Sequence, residues 1–361
     1  MSSLADLPET LFLHAAVRIE ALEDGRFRVD HLTSRRRWEV GSEAFAVLAE
    51  FAGGAAARAV IADAPRSSAT AVESWIGEAA RAGILVVEDD PDHLAALTLR
   101  REWEANGWAF ASEYQLATFS FPFLDYATDG AGADTERMVE YMAAERDPGI
   151  APSCDEAPGI ALRPARSVCE GLLPIPLPGN GSSDASLDRE ALVEVLSATF
   201  GELRLGEGDS RTRVRRTSPS GGARHPVEGY ILALDVAGLA VGAYHCCWRR
   251  GELHPLGDVP LDEATVRAAC PWFYRFGEPG AIVLVTAVLE RNMYRYREPR
   301  TLRTIFMDAG HLCSTLELLC AARDLPALVH HGIDDRRVEE LLGLDPLSEA
   351  AIAGVAIGVS E

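Results

Sequence analysis

The sequence predicts an α+β chain in two parts, and three observations carry this. Between Leu11 and about Asp90, short alternating runs and helical-period runs follow one another closely, as in a small self-contained module. Beyond Asp188, β-branched apolar runs alternate with helical stretches, one of them long and strongly apolar. Between the two, residues 127–159 are rich in Gly, Asp, Ala and Pro, the composition of a linker. The implied boundaries are 1–110 for the first module, 111–159 for a linker with an embedded helix, and 160–361 for the larger domain.

The elements follow in order. Residues 1–10 read as a frayed tail. Val17-Arg18-Ile19 and Phe27-Arg28-Val29 alternate around Glu23-Asp24-Gly25, which predicts a hairpin. Arg37–Val40 is a further short strand. Ser42–Leu48 opens on an N-cap residue and continues at helical spacing. Val72–Ala82 is an amphipathic helix stopped by Gly83 at the C′ position, and Ile84–Val87 is a closing strand. Residues 91–110 read as one helix that begins at Asp92, with Trp103 and Trp108 as bulk. Thr135–Ala144 is the helix inside the linker, and Leu172–Ser186, rich in Pro, Gly and Ser, is a long loop. Asp188–Phe200 predicts an amphipathic helix; Gly229–Val236 and Ala281–Val288 predict strands. Asp308–Arg323 is a long helix, capped by Asp308 and buried on most sides. Asp335–Leu342 is a helix, and Ala351–Val359 is the last strand.

Composition excludes several function classes. The chain has 361 residues, 48% hydrophobic, which is ample for more than one core. Its net charge of −21 argues against nonspecific nucleic-acid binding, although Arg35-Arg36-Arg37 is a local basic spot. No apolar run has the length of a membrane span, and no secretory pattern opens the chain, so a soluble cytoplasmic protein is expected. The seven cysteines form no CxxC pair and read as reduced, buried thiols. The nine histidines are scattered, so no metal site is expected.

The chemistry concentrates at Arg215–Pro226, R-R-T-S-P-S-G-G-A-R-H-P. Two glycines between two prolines make a rigid loop rather than a helix or central strand. Its backbone can come close to something flat or anionic, and its N–H groups and hydroxyls can meet a phosphate or a ring carbonyl. A plain connecting loop is the alternative on composition alone.

The order of residues resembles the flavin loop of the nitroreductase superfamily, and more closely that of the SagB/ThcOx-type dehydrogenases (azoline dehydrogenases). In these, P-S-G-G-A-R-H-P precedes a strand and a G-x-Y-H turn, here Val241–His245. R-Y-R-E-P-R-T-L-R at Arg295–Arg303, leading into F-M-D-A-G-H-L at Phe306–Leu312, resembles a second family block. Val338–Asp345 resembles a third, and Tyr114–Thr118 resembles a Y-H-x-x-T element with Gln115 in the histidine position. The first module resembles a winged helix, in particular the PqqD-like modules that bind leader peptides. A packing domain is the other reading of it, and DNA binding a third that the acidic charge disfavours.

The resemblance implies a mixed sheet wrapped by helices in an interlocked homodimer with flavin mononucleotide (FMN) bound. Pro219, Ser220, Gly221, Gly222, Ala223 and Arg224 would face the flavin, with Thr315 as a hydroxyl donor. Arg215 and Arg216 would reach the phosphate. The family's R-x-S-x-R phosphate motif is matched by Ser167 with Arg166 alongside, while Ala165 and Cys169 replace its basic residues. Asp324 stands where the family has glycine. The family's catalytic Lys-Tyr pair is matched by Arg295 and Tyr296. A guanidinium stays protonated, so Tyr296 or His225 would take the proton while Arg295 stabilises negative charge. His311 is expected to be packed and structural.

The implied reaction oxidises a thiazoline or oxazoline of a modified precursor peptide to the azole, with oxygen as acceptor. A cyclodehydratase or another peptide-modifying enzyme would be the partner. An NAD(P)H-dependent reductase on the same fold, and a flavin-free peptide-binding scaffold, are the alternatives.

Overall fold

The computed structural model describes residues 8–119, 121–125, 127–149, 158–165, 167–168, 187–203, 214–275 and 277–360. Arg166, Cys169, the expected loop Leu172–Ser186 and most of the expected N-terminal tail lie outside these residues. The chain divides into two compact units, Met1–Leu124 and Asp125–Glu361.

In the first unit, β1 (Phe12–Leu13) is followed by an antiparallel meander, β2 (Val17–Ala21), β3 (Phe27–His31) and β4 (Arg36–Val40). Three helices follow: α1 (Ser42–Ala49), α2 (Ala57–Asp63) and α3 (Ala69–Arg81). Then β5 (Leu85–Val86) pairs back on β1. Ser42 is the first helical residue rather than the cap; Gly41 holds the cap position without a side-chain bond. Gly83 sits at φ +74°, the left-handed stop its position predicts. Leu11, Val29, Phe51, Ile76 and Leu85 form the core, each at most 2% exposed. The single helix expected over 91–110 is two, α4 (Pro91–Ala105) and α5 (Ala109–Thr118). The break falls at Gly107, whose φ of +79° no helix interior accepts. Asp90, not Asp92, caps α4 by accepting the His93 N–H at 2.8 Å.

The second unit begins with α6 (Gly130–Ala144), one turn longer than expected, and the short strand β6 (Ile160–Ala161). The helix α7 (Arg189–Phe200) is capped by Asp188 and is not amphipathic: every residue from Leu192 to Phe200 is buried. The strands β7 (Val227–Ala233), β8 (Gly242–Cys247) and β9 (Glu252–Pro255) follow, then α8 (Glu263–Ala269) and β10 (Glu278–Val288). The G-x-Y-H segment is thus the start of a strand, not a turn. The chain closes with α9 (Leu289–Met293), α10 (Thr301–Ala321), β11 (Ala327–His330), α11 (Asp335–Leu342) and β12 (Glu349–Ser360).

The seven strands of this unit form one sheet in the order β11-β12-β10-β7-β8-β9-β6. The sheet expected to be mixed is antiparallel in every ladder described, with one parallel bridge between Asp188 and Ala237. Its centre is buried on both faces. Ile231, Val283 and Val285 face α7 and α10, while Tyr230, Leu232, Ile282 and Leu284 face α8 and α11. That two-sided burial explains why β7 and β10 read as continuous apolar runs.

The helix α10 starts seven residues before the expected Asp308. Residues 301–309 contain neither Gly nor Pro, and Gly310 is tolerated inside the helix at about 1 kcal/mol relative to Ala. Asp308 is therefore not a cap, and His311 lies exposed on the helix rather than packed. Cys246, Cys270, Cys313 and Cys320 are buried free thiols, as expected, whereas Cys247 is disulfide-bonded. Among the described residues, no helix is long and apolar enough to cross a membrane, and no cluster of acidic, His or Cys side chains is placed to hold a metal ion.

Candidate active site

The loop before β7 is held from below by α10. The Ser220 hydroxyl donates to Asp308 Oδ2 at 2.6 Å, and the Gly221 N–H donates to both Asp308 oxygens at 3.2 Å. Ser220 Oγ also accepts the His225 N–H at 2.9 Å, and the Ser218 hydroxyl donates to Thr315 Oγ1 at 2.8 Å. Burial raises the Asp308 pKa above the usual carboxylate range, against the pull of Ser220 and Gly221.

Three residues of this loop are left-handed: Gly222 at φ +61°, Ala223 at +53° and His225 at +46°. For the two non-glycines this costs about 1–2 kcal/mol each, and such strain is characteristic of functional loops. A side chain on Gly221 would run into Thr304, and one on Gly222 into the Tyr296 hydroxyl. The two glycines therefore admit side chains of α10 and of the 289–297 segment to the bare backbone.

That second segment is stitched to the loop by charge. The Arg291 guanidinium donates to Glu228 Oε1 at 2.5 Å and to the His225 carbonyl at 3.0 Å. Arg224 Nε donates to the Arg291 carbonyl at 2.7 Å. Glu228 is 1% exposed and also meets His245 Nε2 at 3.3 Å. Burial alone would raise its pKa, but the His245 hydrogen bond and the Arg291 and Arg216 charges hold it below the usual value. Arg216 is buried with its guanidinium 4.5 Å from the centre of the Trp248 ring. Burial brings its pKa down to about 10, and its Nε and Nη2 have no hydrogen-bond partner among the described residues.

Tyr296 and Arg295 reach the loop together. The Arg295 guanidinium lies 5.5 Å from the Tyr296 ring centre and pairs with Asp134. Burial works to lower the Arg295 pKa, and Asp134 more than offsets it, so Arg295 remains a cation. His225 is brought to the same place in a different condition. Its side chain is buried, Nε2 lies 2.8 Å from the Val214 carbonyl, and burial with the Arg216 charge lowers its pKa to about 4. A neutral ring that donates to a backbone carbonyl holds the loop in shape and is a weak base at neutral pH.

The remaining expected residues separate. Pro219 and Arg215 are exposed, and Thr315 is half-buried beside Ser218. Ser167 is exposed, donates to the Pro164 carbonyl at 2.9 Å, and lines a cavity of about 680 Å³ with Arg163, Ala165, Trp248 and Arg250. Arg216 is not a surface phosphate contact but a core cation. Asp308, Glu228, Arg291 and Asp134 were missed. Asp308 was hidden by the apparent helix start at D-A-G-H, while a charged residue inside the apolar run of β7 was a signal for Glu228.

FMN is flat, rich in acceptors and anionic at one end. The Ser218–Thr315 hydroxyl pair and the buried donors of Arg216 are groups of the kind such a ligand needs, whereas the Gly221-Gly222 backbone is already covered by Thr304 and Tyr296, and the Gly221 N–H is taken by Asp308. Arg163 and Arg323 converge on the buried Glu194, a carboxylate that neutralises two cations a phosphate would use. Asp324 sits at φ +53°, so the turn keeps the left-handed geometry that suits the family's glycine.

Comparison with known proteins bears on this geometry. Residues 182–359 match the Nitroreductase family. The chain is 26% identical over 264 residues to the trifolitoxin-processing protein TfxB of Rhizobium leguminosarum, covering 68% of this chain and 69% of that one. It is similar to a solved structure from Anabaena variabilis described as a nitroreductase, at 24% identity and TM-score 0.47, over 63% of this chain and 45% of that chain. The chain thus spans under half the length of that protein. It is also similar to a chain of the E. coli microcin synthetase McbBCD complex with truncated pro-MccB17 bound. There the identity is 18% and the TM-score 0.44, over 76% of this chain and 100% of that chain.

Proposed function

Since residues 182–359 form a nitroreductase-family domain, we propose that this chain is an FMN-dependent oxidoreductase of ribosomal peptide maturation that oxidises a peptide azoline to an azole. The observation that carries this reading is the Tyr296 hydroxyl against the bare backbone of Gly222, with the Arg295 cation over its ring. Similarity to a trifolitoxin-processing protein over two thirds of the chain supports a peptide as substrate.

The loop residues Ser220 to Ala223, with Thr315, would hold the flavin, and Ser167, Arg166 and Arg215 would serve its phosphate. When bound, FMN would supply the two-electron acceptor, with oxygen as the terminal oxidant. Tyr296 would take the carbon-bound proton as its phenolate, the hydroxyl proton having first passed to solvent. Arg295, permanently charged, stabilises the negative charge that develops as the proton leaves. His225, neutral and pinned, fixes the loop. A second subunit would cover the outward face of α10, where Leu302, Phe306 and Leu318 are 39%, 53% and 37% exposed. The N-terminal unit would recognise a leader peptide or a partner cyclodehydratase, in the cytoplasm.

A flavin-free peptide-binding role is the second reading, favoured by Glu194 between Arg163 and Arg323. The visible spectrum with and without added FMN separates the two. Flavin bands on the protein, with loss of two hydrogens from an azoline peptide that Tyr296→Phe abolishes, are expected. No bands and no spectral change on adding FMN would overturn the redox reading.

A further inference from the structure

The helix α6 is attached to the rest of its unit in an unusual way. Gly130 is its only buried residue among those described, and Val139 and Met142 point outward at 62% and 66% exposure. Ala133, Met138 and Tyr141 are half-buried along one face, so apolar contact holds it only in part. Ion pairs to three arginines of the candidate site add to this. Arg295 takes Asp134, Arg297 takes Glu145 at 3.0 Å with its guanidinium 3.7 Å over the Tyr141 ring, and Arg224 takes Asp147 at 3.0 Å. Two of these arginines flank Tyr296 in sequence, and the third follows Gly222 and Ala223 in the loop.

These pairs differ in kind from the framework pair nearby. Arg291 and Glu228 are 5% and 1% exposed and cannot exchange partners without unfolding their surroundings. The side chains of Glu145 and Asp147 are 53% and 42% exposed, and such pairs are weak and readily replaced by other carboxylates, whereas Asp134, at 18%, is the firmer anchor. A chain of net charge −21 repels an acidic peptide at long range, so holding one requires a local set of cations such as this. The segment already occupying the set shows the chemistry the arginines accept, which is carboxylates spaced along a peptide.

We propose that Arg224 and Arg297 form a carboxylate-reading subsite for an acidic stretch of the substrate peptide, and that Arg295 is released from Asp134 when that stretch binds. Residues 130–149 are then a lid that fills this subsite with the chain's own carboxylates until the substrate displaces them. The proposal rests on the reading of Gly222 and Tyr296 as the reacting centre, but its test uses neither flavin nor turnover. Failure of the redox reading therefore leaves the test intact, and the reverse holds as well.

The test compares the full chain with the triple variant Asp134→Asn/Glu145→Gln/Asp147→Asn. A control, Asp258→Asn/Glu263→Gln/Glu340→Gln, removes the same charge at exposed positions elsewhere in the unit. Binding of labelled octaglutamate and octalysine is read by fluorescence anisotropy at 0.15 M salt. Octaglutamate should bind the triple variant about tenfold more tightly than it binds the wild type or the control. Adding Arg297→Gln to the triple variant should reverse the gain, and octalysine should show no such pattern. Octaglutamate should also speed amide exchange within 130–149 of the wild type while leaving α10 unchanged. Equal affinity for triple variant and control, or a gain that survives Arg297→Gln, would overturn the proposal.

Discussion

In the N-terminal unit, His14, His31 and His93 are all buried, with the His31 and His93 ring centres 4.4 and 5.6 Å from that of His14. Each Nδ1 faces a backbone donor: Ala16 N–H at 2.9 Å for His14, Ser34 N–H at 3.4 Å for His31, and Ala15 N–H at 3.1 Å for His93. The rings must be neutral to accept these bonds, and burial, with the neighbouring rings, brings His14 down to about 4. In the larger unit, Glu228, Arg291, Arg216 and His245 are just as buried, yet Glu228 stays ionised because His245 hydrogen-bonds it and the guanidinia of Arg291 and Arg216 face it. Equal burial thus leads to opposite charge states. The histidines discharge because burial and the neighbouring rings outweigh Asp90, 3.9 Å from His14, whereas the Glu228 cluster keeps its charges because its opposite charges are in direct contact and compensate the lost hydration.

The contrast can be broken from its charged side with the largest effect. Glu228→Ala leaves Arg291 and Arg216 buried without a counter-charge and should destabilise the larger unit by about 3–5 kcal/mol, read by calorimetry. A loss below about 1 kcal/mol would mean that the cluster is not ionised as described. The neutral side is tested by acid. The three histidines have lower pKa values folded than unfolded, so the unfolded chain binds more protons between the two values. The stability they contribute is complete above about pH 6.5 and lost as pH falls toward 4, on the order of 2–3 kcal/mol for His14. Melting of the N-terminal unit that stays flat over this range would contradict the neutral assignment.

A smaller effect is expected where backbone strain, not charge, is at stake. Gly222→Ala must both hold φ +61° and push back Tyr296, which should cost about 1–2 kcal/mol and any activity that depends on Tyr296. Gly25→Ala, at φ +81° in open space, should cost about 1 kcal/mol and leave activity unchanged. The smallest effect belongs to a surface pair: Arg37→Ala, opposite Asp30 at 2.6 Å, should shift stability by no more than about 0.5 kcal/mol.

The local conformations were largely legible in the residues. Gly83 announced the end of α3, the β-branched runs announced β7 and β10, and the Pro-Ser-Gly-Gly order announced a rigid loop, whose left-handed angles the fold then showed. Where local signals misled, the reason is also local. Gly310 looked like a helix start because glycine interrupts helical pattern, although a single interior glycine is affordable. Asp188–Phe200 looked amphipathic because Glu194 marks a polar side, which the fold instead buries between Arg163 and Arg323.

The two-part α+β plan and a rigid loop at 215–226 followed from the residues alone, and the pairing of Arg295 with Tyr296 followed from the family resemblance. Only the tertiary structure decided that Asp308 anchors the loop, that Arg216 is a core cation and that Asp134 answers Arg295. Backbone conformation follows from neighbours a few residues away, which glycine, proline and periodicity report directly. The partner of a charge follows from packing: Gly221 and Asp308 are 87 residues apart, and Asp134 and Arg295 are 161 apart. No local pattern encodes such a meeting, because any carboxylate delivered to that point by the fold would satisfy the same donor.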